Sequence, residues 1–280
     1  MAQYDLTVRE GDTLEGLTTG LISTTSLGGS VILEVNGIRE TISGAVLELV
    51  RGDTVVATVQ TDENGRYAFD GLWPDTYTVR CHQPDGMIFV RGDDPDYAGE
   101  NLFIERSEGG LGNSTPVTLK MAQHELNHDV LLIKPGKVGD QAWLDVNQNG
   151  LIDANEPLLR GVKVRLVQDG QVCYEMETND QGYYLFNDVY PGSYILQAAA
   201  YDSLMPTKQV EALRIISTCL ISGDGALAES AAFRVESGTV NPNFDLGYVL
   251  VDGQQLPDSA YAQFSRDWSM THNNMIDGLV

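Results

Sequence analysis

One short loop in the second half of the chain carries oxygen-bearing side chains at the spacing of a cation site. The side chains at loop positions 1, 3, 5, 9 and 12 are Asp145, Asn147, Asn149, Asp153 and Glu156. Gly150 occupies position 6, where a sharp turn favours a residue free to take a positive φ. Leu151 at position 7 can offer its backbone carbonyl. This D-x-[DN]-x-[DN]-G-x5-E pattern suits calcium, so we predict a calcium site, with a metal-free surface turn as the alternative.

The segments on either side of the loop decide which kind of calcium module it belongs to. An EF-hand needs a helix on each side. Downstream of the loop, the segment 161–167 alternates apolar and charged residues, which predicts a half-buried strand. Its apolar residues are Val162, Val164 and Leu166, and its charged residues are Lys163 and Arg165. We therefore predict a strand–loop–strand calcium site, with residues 138–144 as the first strand.

The chain repeats itself, which indicates tandem units. Three segments of the first half match three of the second in the same order. The matched pairs are 27–33 with 138–144, 44–50 with 161–167, and 61–69 with 178–186. The gap between the first two segments is longer in the second copy, and the calcium loop fills it. We therefore predict that the first copy lacks the loop.

Each copy ends in a similar apolar segment, Asn127–Ile133 or Asn243–Val249. These closing strands predict four regions. The regions are 1–24, the last strand or strands of a preceding repeat or a docking strand; 25–134, a sandwich without the loop; 135–251, a sandwich with it; and 252–280, a polar tail with a short helix. Residues 134–137 form a short linker, which predicts a semi-rigid rod that calcium near the join would stiffen.

Turn signals recur within each copy. Asp62–Gly65 and Asn179–Gly182 lie between alternating apolar runs, which predicts a hairpin at each. A proline turn that starts at Trp73 or Tyr190 then leads into another strand. The aromatic residues around these turns are expected in the sandwich cores, with a ligand-binding platform as the alternative. They are Tyr67, Phe69, Tyr77, Tyr184, Phe186 and Tyr194.

The bulk composition limits the partners. The 280 residues include 40 acidic and 17 basic ones, for a net charge of −23. Nucleic acids and anionic membrane surfaces attract basic patches, so neither is an expected partner. The sequence shows neither a signal peptide nor an apolar run long enough to span a bilayer. We therefore expect no membrane insertion in this segment, with any signal and anchor outside this chain.

Other motifs allow different chemistry. His124-Glu125-Leu126-Asn127-His128 is a literal H-E-x-x-H, which holds zinc when it lies on a helix. Its overlap with the closing strand argues against a helix, so surface histidines are the favoured interpretation. Arg51-Gly52-Asp53 and Arg91-Gly92-Asp93 are integrin-type tripeptides that also occur in turns for conformational reasons. Cys173 and Cys219 form a disulfide or remain free thiols.

Several motifs of the second copy together resemble the SdrD B-type repeats of Gram-positive surface adhesins, which are related to the Cna B-type domains. The motifs are Val138–Asp140, Trp143–Gly150, Asp153–Pro157, Thr178–Phe186 and Tyr190–Tyr194. The resemblance implies an all-β fold of tandem immunoglobulin-like (prealbumin-like) β-sandwiches. It also implies a calcium-binding, non-catalytic stalk or spacer at the extracellular surface of a bacterium.

The expected partners follow from the same resemblance. They are neighbouring repeats of the same surface protein, and a host or cell-surface protein or glycan as ligand. The alternative is a carbohydrate- or protein-binding module of a secreted bacterial protein. A groove lined by exposed aromatic residues would favour the binding module, whereas buried aromatic residues would favour the stalk.

Overall fold

A computed structural model describes residues 25–97, 104–210, 212–213, 217–223, 226–251 and 253–262, with the backbone alone at 104–108. The predicted segment 1–24 and most of the predicted tail helix lie outside these residues. Among the described residues, no helix is both long and apolar enough to cross a membrane.

The regular secondary structure in the first half of the described chain is nearly all strand. They are β1 (Thr25–Val35), β2 (Ile38–Thr41), β3 (Val46–Arg51), β4 (Thr54–Gln60), β5 (Arg66–Leu72), β6 (Thr76–His82), β7 (Ile88–Phe89), β8 (Ile104–Glu108), β9 (Leu111–Ser114), β10 (Val117–Thr118), β11 (His124–Glu125) and β12 (Val130–Ile133). A single 3-10 turn, Pro95–Tyr97, is described among them.

These strands form two sheets that face each other. The first sheet has the order β11-β1-β12-β7, with β2 and β5 also paired to β1. The second has the order β4-β3-β6-β9-β8, with β10 paired to β6. The long strand β1 pairs in parallel with the closing strand β12, so the two ends of the unit lie side by side.

The second half repeats this architecture. Its strands are β13 (Gly136–Leu144), β14 (Lys163–Gln168), β15 (Gln171–Glu177), β16 (Tyr183–Val189), β17 (Gly192–Ala199), β18 (Leu204–Pro206), β19 (Leu220–Gly223), β20 (Ala228–Ser230), β21 (Phe233–Val235), β22 (Val240–Asn241) and β23 (Leu246–Leu250). The sheet orders are β16-β13-β23-β18 and β15-β14-β17-β20-β19. Again the first strand pairs in parallel with the closing strand. The predicted tandem of β-sandwiches is confirmed.

Each sandwich has its own apolar core, built from the inward face of alternating strands. In β14, Val164 and Leu166 are fully buried while Lys163 and Arg165 point outward, as the alternation predicts. The six aromatic residues expected in the cores are all buried there, so that prediction is confirmed. They are therefore not a binding platform.

The turns Asp62–Gly65 and Asn179–Gly182 are not the hairpins that the sequence predicts. β4 and β5 flank the first turn but lie in different sheets, as do β15 and β16 around the second. The first turn instead packs on β1, where Val31 N–H donates to the Gly65 carbonyl oxygen at 2.9 Å. Because a neighbouring strand offers this partner, the chain crosses the sandwich at the turn.

The tail after the second sandwich folds back along it. Leu256 and Ala260 are buried in the second core. A 3-10 turn, Asp258–Ala260, brings the tail to Leu158, whose carbonyl oxygen accepts the Ala262 N–H at 2.8 Å. The helix predicted for the tail therefore begins, within the described residues, only as this short turn.

Candidate functional site

The predicted calcium loop lies at the far end of the second sandwich from the linker. It begins at Asp145, directly after β13, whose first residue, Gly136, follows the linker. The nine residues of β13 separate the two ends by about 30 Å. The expectation that calcium lies near the join is therefore wrong, because the first strand carries the chain across the whole sandwich before the loop begins. The predicted strand–loop–strand arrangement, in contrast, is confirmed.

Asp145 is the buried anchor of the loop, with 1% of its surface exposed. Its Oδ1 accepts the Asn149 N–H at 3.2 Å, and its Oδ2 accepts the Gly150 N–H at 2.8 Å. The Thr207 hydroxyl also donates to Oδ2. Gly150 has a φ of +82°, and a Cβ there would lie 2.3 Å from the Lys208 carbonyl oxygen. The need for glycine at position 6 is confirmed on both counts.

The middle of the loop is held by its own polar side chains. Asn147 Oδ1 accepts the Asn149 N–H at 3.0 Å, and Asn149 Oδ1 accepts the Leu151 N–H at 2.7 Å. The side-chain amides of Asn147 and Asn149 both donate to Asp153 Oδ2, at 2.7 and 2.8 Å. The loop therefore brings the side chains at positions 3, 5 and 9 together, as a cation site requires.

Glu156 closes the loop from inside the protein and is 5% exposed. Its Oε1 accepts the Val146 N–H at 2.9 Å, and its Oε2 accepts the Asp153 N–H at 3.1 Å. Burial raises the pKa of Glu156, backbone N–H donors oppose that shift, and the Asp145 carboxylate adds to it. The carboxylate at position 12 therefore ties the two ends of the loop together.

The loop concentrates acidic charge, and none of its carboxylates forms an ion pair with a described residue. Within the described residues, no lysine or arginine lies within ion-pair distance of Asp145, Asp153 or Glu156. The described residues also contain no convergent group of three or more His, Cys, Asp or Glu side chains. Two of the loop side chains that could ligate a cation are neutral amides, and the oxygen-bearing side chains of the loop take part in hydrogen bonds. Its chemistry therefore fits a hard cation once the asparagine amides turn their oxygens inward.

Two residues that support the loop were not predicted from the sequence. Thr207 reaches Asp145 from the segment after β18, and Ser217 donates to the Gly150 carbonyl oxygen at 2.8 Å. Both come from the long connection between β17 and β20, far from the loop in sequence. Hydroxyl residues in a connection carry no periodic signal, so only the folded chain reveals their role.

The second candidate site is the joint between the sandwiches. Tyr190, from the proline turn of the second sandwich, packs in an apolar cluster with Val90, Leu131 and Ile133 of the first. The Arg91 guanidinium lies over the Tyr190 ring, 4.1 Å from its centroid, a distance typical of a cation–π contact. The turn of one sandwich is thus enclosed by the closing strand of the other and by the long insertion at residues 84–117, which carries Val90 and Arg91.

Hydrogen bonds fix the same contact. The Tyr190 hydroxyl accepts the Arg91 N–H at 3.0 Å and donates to Asp94 Oδ2 at 2.7 Å. Arg234 and Asp96 add a salt bridge at 2.7 Å across the joint, exposed on both sides. Arg91, Asp94 and Asp96 belong to the long insertion of the first sandwich, residues 84–117. Long loops on a rigid scaffold often carry function, and this one contacts the neighbouring sandwich. The length of the insertion was the one sequence signal for this role.

The linker is shorter than predicted. β12 ends at Ile133 and β13 begins at Gly136, so only Lys134 and Pro135 connect the sandwiches. Gly136 and Lys137, placed in the linker by the sequence prediction, belong to β13. The Lys134 backbone is held by Ser237, whose Oγ donates to the Lys134 carbonyl oxygen at 3.1 Å. Two residues leave little freedom between the sandwiches.

The remaining motifs lie in ordinary structural positions. His124 is in the strand β11, with its Nδ1 2.7 Å from Ser26 Oγ, so the helix that a zinc site needs is not formed. Arg51-Gly52-Asp53 ends β3 at the exposed hairpin expected there. Within the described part of the chain no disulfide is formed, so Cys173 and Cys219 do not pair.

Together these features define a class of protein: tandem β-sandwiches with parallel first and closing strands, an interlocked joint and one acidic loop. The model of the SdrD B-like domain matches residues 33–130 and 136–248. The chain therefore belongs to the SdrD B-like domain family, and the predicted resemblance is confirmed.

Individual relatives are more distant. The chain is 28% identical to colossin-A of Dictyostelium discoideum over 218 residues, covering 74% of this chain and 2% of that protein. It is 27% identical to serine-aspartate repeat-containing protein F of Staphylococcus epidermidis over 207 residues, covering 71% and 11%. It is 27% identical to the bone sialoprotein-binding protein of Staphylococcus aureus over 220 residues, covering 76% and 19%. The chain thus spans less than a fifth of each of these relatives.

Solved structures align only weakly. The minor pilin GBS52 of Streptococcus agalactiae covers 84% of this chain and 99% of its own, with 13% identity and a TM-score of 0.32. A score that low supports no argument about function. The fold assignment therefore rests on the sheets of this chain and on the family match.

Proposed function

We propose that this chain is a non-catalytic stalk segment of a cell-surface adhesin. The observation that carries this proposal is the joint, where Tyr190 is enclosed by Arg91, Asp94 and the closing strand of the preceding sandwich. A two-residue linker and an enclosed tyrosine favour one relative orientation of the sandwiches. A stalk needs such stiffness, whereas independent binding modules need only a flexible tether.

Small-angle X-ray scattering of the whole chain tests this proposal. If the joint is stiff, a single arrangement of the two sandwiches should account for the scattering curve. The maximum dimension of the particle should then vary over a narrower range than in Tyr190→Ala. The variant Tyr201→Phe, a conservative change away from the joint, serves as the control. Scattering that requires many arrangements in the unaltered chain would contradict the stalk proposal.

The proposed location and partners of the stalk are inferred from its membership of the SdrD B-like domain family. We propose an extracellular position at a bacterial cell surface, with neighbouring repeats of the same protein as direct partners. The name of the bone sialoprotein-binding protein states that this relative binds bone sialoprotein. For this chain we propose that any host or cell-surface protein or glycan is bound by another part of the parent protein. The buried core aromatics support a stalk over a binding module.

We further propose that the acidic loop of the second sandwich binds calcium. The ligands would be the side chains or carbonyl at the predicted positions, Asp145, Asn147, Asn149, Leu151, Asp153 and Glu156. Two of the three carboxylates are buried, and no basic side chain among the described residues neutralises them. A bound cation would remove that repulsion and hold the far end of the second sandwich, away from the joint.

Isothermal titration calorimetry tests the calcium proposal directly. Calcium should bind with one site per chain, and magnesium should compete weakly because it prefers a rigid octahedron with retained waters. Asp153→Asn keeps the size of the side chain but removes a charge, so it should weaken binding. The proposal fails if calcium at millimolar concentration produces no binding heat and no change in melting temperature.

A further inference from the structure

The first sandwich leaves two large apolar side chains exposed at the end where the chain enters it. Trp73, in the turn after β5, is 63% exposed, and Met121, in the turn before β11, is 59% exposed. Both flank the start of β1. Thr25 pairs with Leu72, directly before Trp73. The Ser26 N–H donates to the carbonyl oxygen of the residue two positions after Met121, at 3.1 Å.

The second sandwich places Tyr190 where the first places Trp73. Gly136, the first residue of β13, pairs with Val189, directly before Tyr190. The same irregularity in register follows that pair in both sandwiches, after Thr25 and after Gly136. The two turns also have the same internal hydrogen bond. Tyrosine hydroxyls donate to the carbonyl oxygens of Trp73 at 3.0 Å and of Tyr190 at 2.8 Å.

Ser237 of the second sandwich corresponds in the same way to Met121. The Lys137 N–H donates at 2.8 Å to the carbonyl oxygen two positions after Ser237, as in the first copy. The next residue of each turn has a positive φ, +61° for Ala122 and +70° for Gly238. The entry ends of the two sandwiches are therefore equivalent in backbone geometry, and their exposed side chains can be compared one for one.

In the second sandwich, the segment that precedes the first strand covers this end. Ile133 packs with Tyr190 in the apolar cluster of the joint, and Lys134 is hydrogen-bonded to Ser237. Tyr190 is consequently only 7% exposed. Ile133, which packs on this entry turn, thus lies three positions before Gly136, the first residue of β13.

The sequence before β1 offers the same arrangement. Ile22 stands three positions before Thr25, and Leu21-Ile22 parallels Leu132-Ile133 in its apolar character. We infer that Trp73 and Met121 form a docking surface for this apolar segment of the chain, with Ile22 in the place that Ile133 takes on Tyr190.

The chemistry of the surface favours an apolar occupant. Arg234, which forms the salt bridge of the described joint, pairs with Ser193 of β17. In the first sandwich Thr118 pairs with Thr76 of β6 and therefore takes the place of Arg234. An indole has a larger apolar area than a phenol and donates one hydrogen bond but accepts none. Docking of the segment would therefore bury apolar area at this end without a counterpart of the Arg234–Asp96 salt bridge.

Fluorescence quenching by acrylamide tests the inference in the full chain. Trp268→Phe removes the tryptophan of the tail, and the fully buried Trp143 supplies a protected reference. Docking predicts that Trp73 is shielded in this background and that Ile22→Asp raises its quenching constant severalfold. Thr18→Asp adds the same charge four residues earlier and should leave the constant unchanged.

Three outcomes would overturn the inference. Free quenching of Trp73 before any change at Ile22 would show that the segment does not cover it. An unchanged quenching constant in both Ile22→Asp and the milder Ile22→Ser would show that another group does. Shielding that increases with protein concentration would assign the surface to a second copy of the chain. Circular dichroism melting of each variant confirms that the sandwich itself remains folded.

Discussion

The two sandwiches begin with equivalent strands, β1 and β13, and differ directly after them. In the first, Asn36 and Gly37 form a two-residue turn with φ values of +52° and +78°, and the chain returns at once as β2. Such a turn matches the twist of the flanking strands. In the second, the acidic loop replaces both the turn and the returning strand. The first sandwich therefore closes with a hairpin that the Arg39–Glu34 salt bridge spans at 2.6 Å, whereas the second holds its loop with buried carboxylates.

The two sandwiches also differ in the residues at two equivalent positions. Gly29 of β1 pairs with Tyr67, and Asp140 of β13 pairs with Tyr184 at the equivalent place. The second sandwich therefore buries a carboxyl where the first has no side chain. Trp73 is exposed where Tyr190 is enclosed. The common frame is set by the cores, and the individual properties of each sandwich come from its loops and from these few positions.

The largest effect should come from breaking the joint. Tyr190→Ala removes a buried ring and two hydrogen bonds, and should destabilise the contact by about 3 kcal/mol. Calorimetry should then show two separate unfolding transitions where the unaltered chain shows coupled ones. This measurement gives the free energy that distinguishes the enclosed Tyr190 from the exposed Trp73.

Tyr190→Phe separates the contributions of the ring and of the hydroxyl. It keeps the apolar contact and the place beneath Arg91 but leaves the Arg91 N–H and Asp94 without their partner, which should cost about 1–2 kcal/mol. Equal melting profiles for Tyr190→Ala and the unaltered chain would mean that the sandwiches are not coupled through this residue.

Calcium should have the next largest effect. With a dissociation constant on the order of 0.1–1 mM, a few millimolar calcium would add roughly 1–2 kcal/mol to the second sandwich. Glu156→Ala should abolish most of this gain, because position 12 supplies a bidentate carboxylate that no neighbour replaces. Asn147→Ala should reduce it less, because water can substitute for one neutral ligand.

The control for these variants is the same melting experiment with chelator. Glu156 accepts two backbone N–H groups, so its loss should destabilise the loop even without metal. The informative quantity is therefore the difference between calcium and chelator for each variant. An unaltered chain that melts at one temperature in both conditions would reduce the loop to a simple turn.

The buried Asp140 predicts a pH-dependent effect. Burial, and then the neighbouring Asp245 carboxylate, raise the pKa of Asp140 to about 10, above its ordinary value of 3.8. Tyr183 and Tyr184 face the same two carboxyls. In the folded chain Asp140 therefore stays protonated at a pH where the unfolded chain has lost that proton. This contribution to stability is complete below about pH 4 and decreases as the pH rises towards 10.

Asp140→Asn carries the neutral form at every pH and so isolates this effect. It should melt like the unaltered chain near pH 4 and be more stable at pH 8, because it never carries the charge that burial disfavours. Gly29 marks the equivalent place in the first sandwich, whose stability should not show this dependence. A variant that is less stable than the unaltered chain at pH 8 would show that the Asp140 charge is accommodated in the fold.

Much of the frame could be predicted from the sequence because it depends on short periodic patterns. The alternation of Val162, Val164 and Leu166 with charged residues predicts both a strand and its buried face, and both are present. The turns Asp62–Gly65 and Asn179–Gly182 were misassigned because a turn motif reports the reversal of the chain. It does not report which sheet the next strand joins.

The site was predictable to the extent that it is local. The loop pattern identifies Asp145, Gly150 and Glu156, which lie within twelve residues of one another in the sequence. Thr207 and the joint residue Tyr190 were missed because their partners lie far away in sequence. No pattern within one segment indicates which distant segment packs against it.

The smallest expected effect is the absence of a calcium response in the first sandwich. Glu34 stands in the place of Asp145, but its carboxylate forms a salt bridge with Arg39. The turn at Asn36 and Gly37 has no counterpart of Asp153 or Glu156, so calcium should not stabilise β1 to β12. Hydrogen exchange of the full chain distinguishes the two units within one sample, with the second as internal control. Calcium should slow exchange in β13 and β23, which flank the loop end, and leave β1 and β12 unchanged. Because the joint lies about 30 Å from the loop, slower exchange in β12 would reveal either a calcium site in the first sandwich or coupling through Tyr190. Repeating the measurement on Tyr190→Ala separates the two, since only the coupled response disappears with the ring.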